Sequence, residues 1–438
     1  MRQNRYFATQ VVLGCLLLLL GALGLYFQQR NDLDVFITLA LAQGGVYLVA
    51  VWVVLKEGRF RGLIPVLVFA LLLRMAALAT PPYLSDDIYR YVWDGRVQAA
   101  GINPYRFVPE SRELLALRDG EIYPRINRRG YAPTIYPPLA EALFLAGTRI
   151  SESVTWVKLL MIAFEALTVW ILVRLLRSLQ LPPERVLIYA WNPLAIWEFA
   201  GSGHIDAAAI AYMVLAVWAR RCNRPGLTGL SLACATLTKL YPAMIFPALY
   251  RRWDWKMPAA FGAAVVLAYL PFVSVGRRVL GFLPAYVEEE GLISGERFYP
   301  WKLIHNVWAI PQFDGVAYLA ILLLVLLAVA GWLTFRKERH PGDFLTHSLV
   351  LAALTTVLFS PHYPWYFAWL LPLLVVVPDL SLLYLTLAAF VLYRVRTHET
   401  PDSLFSANTW LYLPFVVLVT ARCIWHRFKW QIHRSVHW

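Results

Sequence analysis

Charge is what this 438-residue sequence is short of: Asp, Glu, Lys and Arg together make up 15% of it, against about 25% in an ordinary soluble domain. With 59% hydrophobic residues, too little polar surface remains to coat a water-soluble particle of this size. Cysteine is scarce as well. Cys15, Cys222, Cys234 and Cys423 fall in apolar runs or at expected cytoplasmic ends. No two share an expected external loop, so no disulfide framework is implied. P-loop, GxGxxG, HExxH and CxxC spacings are all missing, and with them the common nucleotide-binding and metal-site signatures. The strict alternation of a membrane β-barrel is absent too.

What is present is a series of apolar runs, each of roughly 17–25 residues or a proline-broken equivalent. Backbone groups in lipid must be satisfied within the segment, so these runs are expected to be helices. The expected fold class is therefore all-α: a polytopic transmembrane helical protein with about a dozen membrane helices. Spans are expected near 7–27, 35–55, up to Ala79, 154–176, 186–200, 207–221, 258–275, 315–335, 343–359, 365–377, 379–393 and 408–424. The first follows Arg2 and Arg5 and has no A-x-A site, so it reads as an uncleaved helix. Aromatic residues border the charged loops, as in RRWDWK (251–256) and WHRFKW (425–430), which fits an interfacial belt. The net charge of +13 is assigned to short cytoplasmic loops facing anionic headgroups, not to nucleic acid.

Arg2, Arg5 and KEGRFRG (56–62) are placed inside by the positive-inside rule, so the segment 80–153 lies outside. It is the longest polar stretch, yet too apolar for a disordered linker. Within it PPLAEALFLAGTRI (137–150) reads as an amphipathic helix on the interface. The run 226–250 has two readings. As one helix it would put RRWDWK outside and invert everything after it. As a hairpin broken at TKLYP (238–242) it keeps RRWDWK, RKER (336–339) and the basic C-terminal end inside. Charge and Pro242 favour the hairpin. A second external loop is expected at 276–306.

The densest chemistry lies in LSDDIYRYVWDGRVQAAGINPY (84–105). Ser85 is the expected helix cap, with Asp86 and Asp87 in the first turn. Asp86, Arg90 and Asp94 form an i, i+4, i+8 ladder, and Asp87, Tyr91 and Asp94 share a face. The structural reading is a salt-bridged interfacial helix. The functional reading rests on position: two adjacent acids at the exit of a membrane helix raise one another's pKa, and such a carboxylate serves as a general base toward a hydroxyl. The external segment is rich in arginine, most of it expected to meet headgroups, with one or two side chains suited to phosphate. Lys239 in TKLYP is an ion between apolar half-helices, either functional or snorkelling. Arg297 lies in the second external loop, and His362 in SPHYPWY (360–366) lies on the same side as Asp86. His204 and Asp206 in GSGHID (201–206) are external as well, with a helix-capping turn as the structural reading.

SDDIYRYVWDGRVQAAGINPY, IYPPLAEALF (135–144), WNPLAIWEFAGSGHIDA (191–207), LTKLYPA (237–243) and SPHYPWYFAWLLPLL (360–374) together resemble bacterial glycosyltransferases of the GT-C fold. The resemblance is to polyprenol-phosphate-mannose-dependent mannosyltransferases, and also to the catalytic subunit of the first GPI mannosyltransferase. It covers about 62–378, leaving the N-terminal helices 1–61 and the C-terminal helices and basic tail 379–438 outside it. It implies a GT-C-like catalytic membrane module and an inverting transfer of a sugar, mannose, from a polyprenyl phosphate to an acceptor hydroxyl on the external face of a bacterial inner membrane.

The acceptor would be a glycan, lipid or protein, and the donor a lipid-linked sugar in contact with membrane lipids. No cofactor and no metal site is implied. Asp86 or Asp87 would be the base; the distance to Asp94 favours Asp86, while DD stands here in place of the family's D-x-D. Arg96, Lys239, Arg297 and His362 are candidate donor-phosphate contacts. Tyr89, Trp93, Asp94, Tyr105 and Tyr136 are candidate substrate contacts. A transporter or lipid flippase is the rival class, but such folds pair broken helices in both halves, and here one broken hairpin has no counterpart. A noncatalytic subunit of a glycan-assembly complex is the third reading.

Overall fold

The computed structural model describes residues 2–56, 62–295, 297–308, 315–336, 338, 340, 342–397 and 400–435. Most of the expected turn KEGRFRG and part of RKER lie outside the described residues. Every regular element among the described residues is helical. The chain is an integral membrane protein: six helices are long and apolar enough to cross a membrane, and five shorter apolar helices accompany them. α1 (Arg2–Gln29), α2 (Leu33–Lys56) and α3 (Leu63–Leu78) follow the expected spans closely. α4 (Asp87–Ala99) and α5 (Pro138–Thr148) lie within the segment 80–153, and α6 (Val154–Ser178) follows it.

Four expected spans depart from a continuous α-helix; 258–275 and 379–393 turn 3-10 from Leu270 and from Ala389. The run 186–200 breaks into short pieces, Pro183–Val186, Leu187–Ala190 and Pro193–Ala195, and ends in a π-helical turn, Ile196–Gly201. The break follows from Pro193, which has no N–H to donate. Asn192 Oδ1 accepts from the Leu194 N–H at 2.9 Å and restarts the chain. The π turn leaves Glu198 fully buried; such turns widen the helix and redirect side chains. Likewise 364–376 starts as a 3-10 helix, Pro364–Leu370.

The run 226–250 adopts the hairpin. The helix Pro225–Thr238 stops at Lys239, whose backbone is extended (φ −155°, ψ 136°), before the short pieces Tyr241–Ile245 and Phe246–Leu249. Both arms meet the same end of the neighbouring helix Asp206–Arg221. Arg220 Nε donates to Leu249 O at 2.8 Å, and Arg251 pairs with the Asn223 side chain. At the other end of that helix, Lys239 Nζ meets Asp206 Oδ2 at 2.6 Å. Glu338 sits 2.5 Å from Arg220, which brings this part of RKER to the same end as RRWDWK.

The segment 80–153 is pinned from below and within. Lys158 on α6 is buried and donates to Ala77 O, Leu78 O and Thr80 O at 2.8, 3.3 and 2.7 Å. It caps the carbonyls at the end of α3, where a cation suits the helix dipole, and so aims residues 81–86 at α4. Most of the arginines expected at headgroups are instead spent inside the loop. Arg118 donates to Ser111 O, Arg129 to Pro124 O, Arg149 to Ala99 O and Arg125 to Tyr89 Oη. Irregular backbone leaves carbonyls without ladder partners, and guanidinium groups satisfy them. α5 is packed on α4: its Glu141 is fully buried and accepts from Thr134 Oγ1 at 2.5 Å and Gln98 Nε2 at 2.7 Å.

Candidate active site

A cavity of about 420 Å³ opens where α4, the hairpin apex at Lys239 and the turn before Pro364 meet. Asp86, Asp87, Arg128, Lys239 and His362 line it. Its apolar walls come from aromatic rings, among them Tyr136, Tyr286, Tyr363, Trp365 and Tyr366. Tyr363 stacks on Trp365 with ring centroids 4.6 Å apart.

The two acids differ in surroundings. The cap position falls on Asp86, one residue later than expected; Ser85 Oγ instead accepts from the Asp87 N–H at 3.3 Å. Asp86 is exposed at the rim. Asp87 is held through one oxygen, Asn127 Nδ2 donating to Oδ1 at 2.7 Å, while His204 Nδ1 lies 3.8 Å from Oδ2, beyond hydrogen-bond reach. Burial pushes the Asp87 carboxyl above the ordinary range; Lys239, Asn127 and Arg128 pull it back, while Asp206 adds to the rise. A carboxyl so balanced holds or releases a proton with small changes in nearby charge.

The cations are anchored. Lys239 Nζ rests on Asp206 and sits 4.9 Å from the centre of the Tyr366 ring, while Asp206 Oδ1 accepts from Trp369 Nε1 at 2.9 Å. Arg128 Nε contacts Glu289 Oε1 at 2.6 Å, and its guanidinium lies over Tyr286. His362 Nε2 lies 2.8 Å from Arg297 Nη1 and 3.1 Å from Glu290 Oε2. Burial, with Arg297 and Arg128 adding to it, lowers the His362 pKa to about 3. Burial raises that of Glu290 to about 7 against the pull of Arg297. Glu290 therefore holds its proton below about pH 7, and a neutral His362 faces the cavity.

A backbone clasp joins the segment 276–306 to the segment 80–153: Phe282 N donates to Thr134 O at 2.9 Å. It depends on Gly281 (φ +57°), where a Cβ would stand 1.9 Å from Thr134 O.

Of the residues singled out in the sequence, Asp86, Asp87, Lys239, His362 and Tyr136 are brought together at the cavity. Others are not. Arg96 faces the opposite side of α4, held by Asp119 at 2.6 Å and Glu152 at 2.7 Å. Tyr89 accepts from Arg125, Trp93 packs on Tyr123, and Tyr105 donates to Tyr136 O at 2.7 Å. Asp94 grips Arg90 Nε through both oxygens at 2.8 and 3.0 Å, and it is Arg90 that reaches the cavity wall. Arg297 stands behind His362. The helical period sends positions 89, 93 and 96 to the face that the loop residues 119–123 cover. Asn127, Tyr286, Glu290 and the aromatic run at 363–366 were not singled out. The last had a visible signal, since it flanks His362 in SPHYPWY. Among the described residues no group of three His, Cys, Asp or Glu side chains is placed to hold a metal ion.

A family model described as "Alpha-(1->6)-mannopyranosyltransferase, N-terminal domain" matches residues 15–254. Alpha-(1->6)-mannopyranosyltransferase A of Mycobacterium tuberculosis (strain ATCC 25618 / H37Rv) is 24% identical over 324 residues, 69% of this chain and 62% of the relative. The chain therefore spans under two thirds of that relative's length. No solved structure matches it. The matched residues hold both aspartates, Arg128, the GSGHID turn and Lys239, and end before Glu290 and His362. With the family model covering more than half of the sequence, the chain belongs to the alpha-(1->6)-mannopyranosyltransferase family, in agreement with its resemblance to GT-C enzymes.

Proposed function

We propose that this chain transfers mannose from a polyprenyl-phosphate donor to a sugar hydroxyl, with inversion, at the external face of a bacterial cytoplasmic membrane. The observation that carries the reading is the cavity itself, where Asp87 shares an aromatic-walled space with Lys239, Arg128 and a neutral His362. Asp87 takes the hydroxyl proton as that oxygen attacks the anomeric carbon. The bond from the anomeric carbon to phosphate breaks, and its electron pair leaves with the polyprenyl phosphate. That phosphate gains negative charge in the step, which Lys239 and Arg128 offset. The relative's name specifies an α-(1→6) linkage, so the acceptor is read as a hexose 6-hydroxyl, and inversion then calls for a β-linked donor. Asp86, at the rim, is assigned to acceptor contact.

The test is a proteoliposome assay with labelled polyprenyl-phosphate mannose and an α-mannoside acceptor. Wild type forms an α-(1→6) product, and Asp87→Asn loses about 10²–10⁴-fold in kcat while Asp86→Asn retains most of it. Full turnover by Asp87→Asn removes the assignment of the base, and turnover with a nucleotide sugar in place of the lipid donor removes the donor.

A further inference from the structure

Behind Asp87, beyond the residues that line the cavity, lies a buried acid that the reaction above does not use. His204 is fully buried, with its ring stacked on Trp365 (centroids 4.1 Å apart, 29° between planes). Its Nδ1 faces Asp87 Oδ2 at 3.8 Å, and its Nε2 faces Glu198 Oε2 at 3.4 Å. Glu198, fully buried in the π turn, accepts from Tyr393 Oη through its other oxygen at 2.5 Å. The turn that carries His204 is forced against α4: Gly203 has φ +76°, and a Cβ there would stand 2.3 Å from Ile88 Cδ1. No other side chain allows that approach, and it is this approach that sets the imidazole beside Asp87.

We propose that His204 is a positioning residue for the base, presenting Nδ1 as hydrogen-bond acceptor to the Asp87 carboxyl once that carboxyl carries the acceptor's proton. The inference rests on the reading of Asp87 as base. Glu198 sets the tautomer. Tyr393 donates to one of its oxygens, and the other lies 3.4 Å from Nε2 with no hydrogen bond yet formed between them; the Nε2–H belongs on this side, toward the carboxylate, which leaves the lone pair on Nδ1 toward Asp87. In the ground state an ionised Asp87 and that lone pair have no hydrogen to share, consistent with the 3.8 Å separation. During transfer the acceptor O–H bond breaks, the proton moves to Asp87 Oδ2, and the new O–H points at Nδ1. The interaction exists only after proton transfer has begun, so it favours the transition state over the ground state. The other charged groups facing Asp87 are Lys239, Arg128 and Asp206, and none of them accepts a hydrogen bond from that oxygen in the same direction as His204.

The test compares wild type, His204→Phe, His204→Gln and Asp87→Asn for kcat and KM across pH, in proteoliposomes, with thermal unfolding of each in detergent. Phe keeps the stack on Trp365 and removes the acceptor; Gln keeps an acceptor through Oε1. An acceptor for the protonated carboxyl raises the Asp87 pKa, so its loss lowers it. His204→Phe is therefore expected to move the acid limb of kcat down by about one pH unit, to lower kcat about tenfold on the plateau, and to leave the donor KM unchanged. His204→Gln restores most of both. Glu198→Gln frees the other tautomer, whose Nδ1–H holds Asp87 ionised, and moves the acid limb in the same direction. It supplies the measurement should the Phe variant fail to fold. An acid limb unmoved in every folded variant, or an equal loss at all pH values that Gln does not rescue, overturns the proposal. If instead Asp87→Asn is fully active, the base assignment itself falls; an inactive Asp87→Asn beside an unaltered His204→Phe removes the role of His204 alone.

Discussion

Asp86 and Asp87 are adjacent letters, yet one sits at the rim and the other is hydrogen-bonded by Asn127, forty positions away, and faces a histidine from another part of the chain. The pair Glu290 and His362 shows the same dependence and yields a pH prediction. Glu290, raised from 4.5 to about 7, keeps a proton in the fold that the unfolded chain loses, so its contribution to stability falls as pH rises from about 4.5 to about 7. His362, lowered from 6.5 to about 3, refuses a proton that the unfolded chain binds, so its contribution rises over about 3 to 6.5. The two slopes oppose each other where they overlap. Thermal unfolding of Glu290→Gln across pH is expected to show stability rising through the weakly acidic range. His362→Gln is expected to show it falling toward neutrality. Profiles parallel to wild type in both variants would mean the proton is not held as described.

Helices were legible where apolar runs were long and unbroken, because lipid demands internal backbone pairing whatever the neighbours do. α1, α2, α6 and Gly315–Phe335 fall within a few residues of expectation. The run 186–200 was not legible as the broken segment it forms. Its composition is that of a membrane helix, and only packing at the centre of the molecule, where nearly all of its residues are buried, stabilises the π turn over a regular helix. That turn and the Gly203 bend after it carry Glu198 and His204. Gly203→Ala must place a Cβ at a positive φ and 2.3 Å from Ile88 Cδ1, a strain of about 1–3 kcal/mol. The expected result is a melting temperature lower by several degrees and a kcat loss exceeding that of an equally destabilised variant elsewhere. An unchanged melting temperature would show that α4 and the turn separate freely.

For the molecule as a whole, charge decided the topology before any contact was known. RRWDWK, Arg220–Arg224 and Glu338 meet at one end, and Lys239, Asp206 and the aspartate pair gather at the other. Cys222 is exposed at the first end, and Tyr131, 60% exposed, lies in the segment 80–153. With the remaining cysteines replaced, Cys222 is expected to react with a membrane-impermeant maleimide only from the cytoplasmic side. Tyr131→Cys, on a background without Cys222, is expected to react from the external side. The reverse pattern would invert the proposed orientation. Membrane residence, the long unbroken helices and the hairpin at TKLYP were determined by the sequence alone, since each depends on local hydropathy, proline and the sign of nearby charge. Which carboxyl is oriented, that Arg96 turns away, and that Glu198 and His204 stand behind Asp87 were decided only in three dimensions. Burial and side-chain direction there are set by residues distant in sequence, whose approach no local pattern encodes.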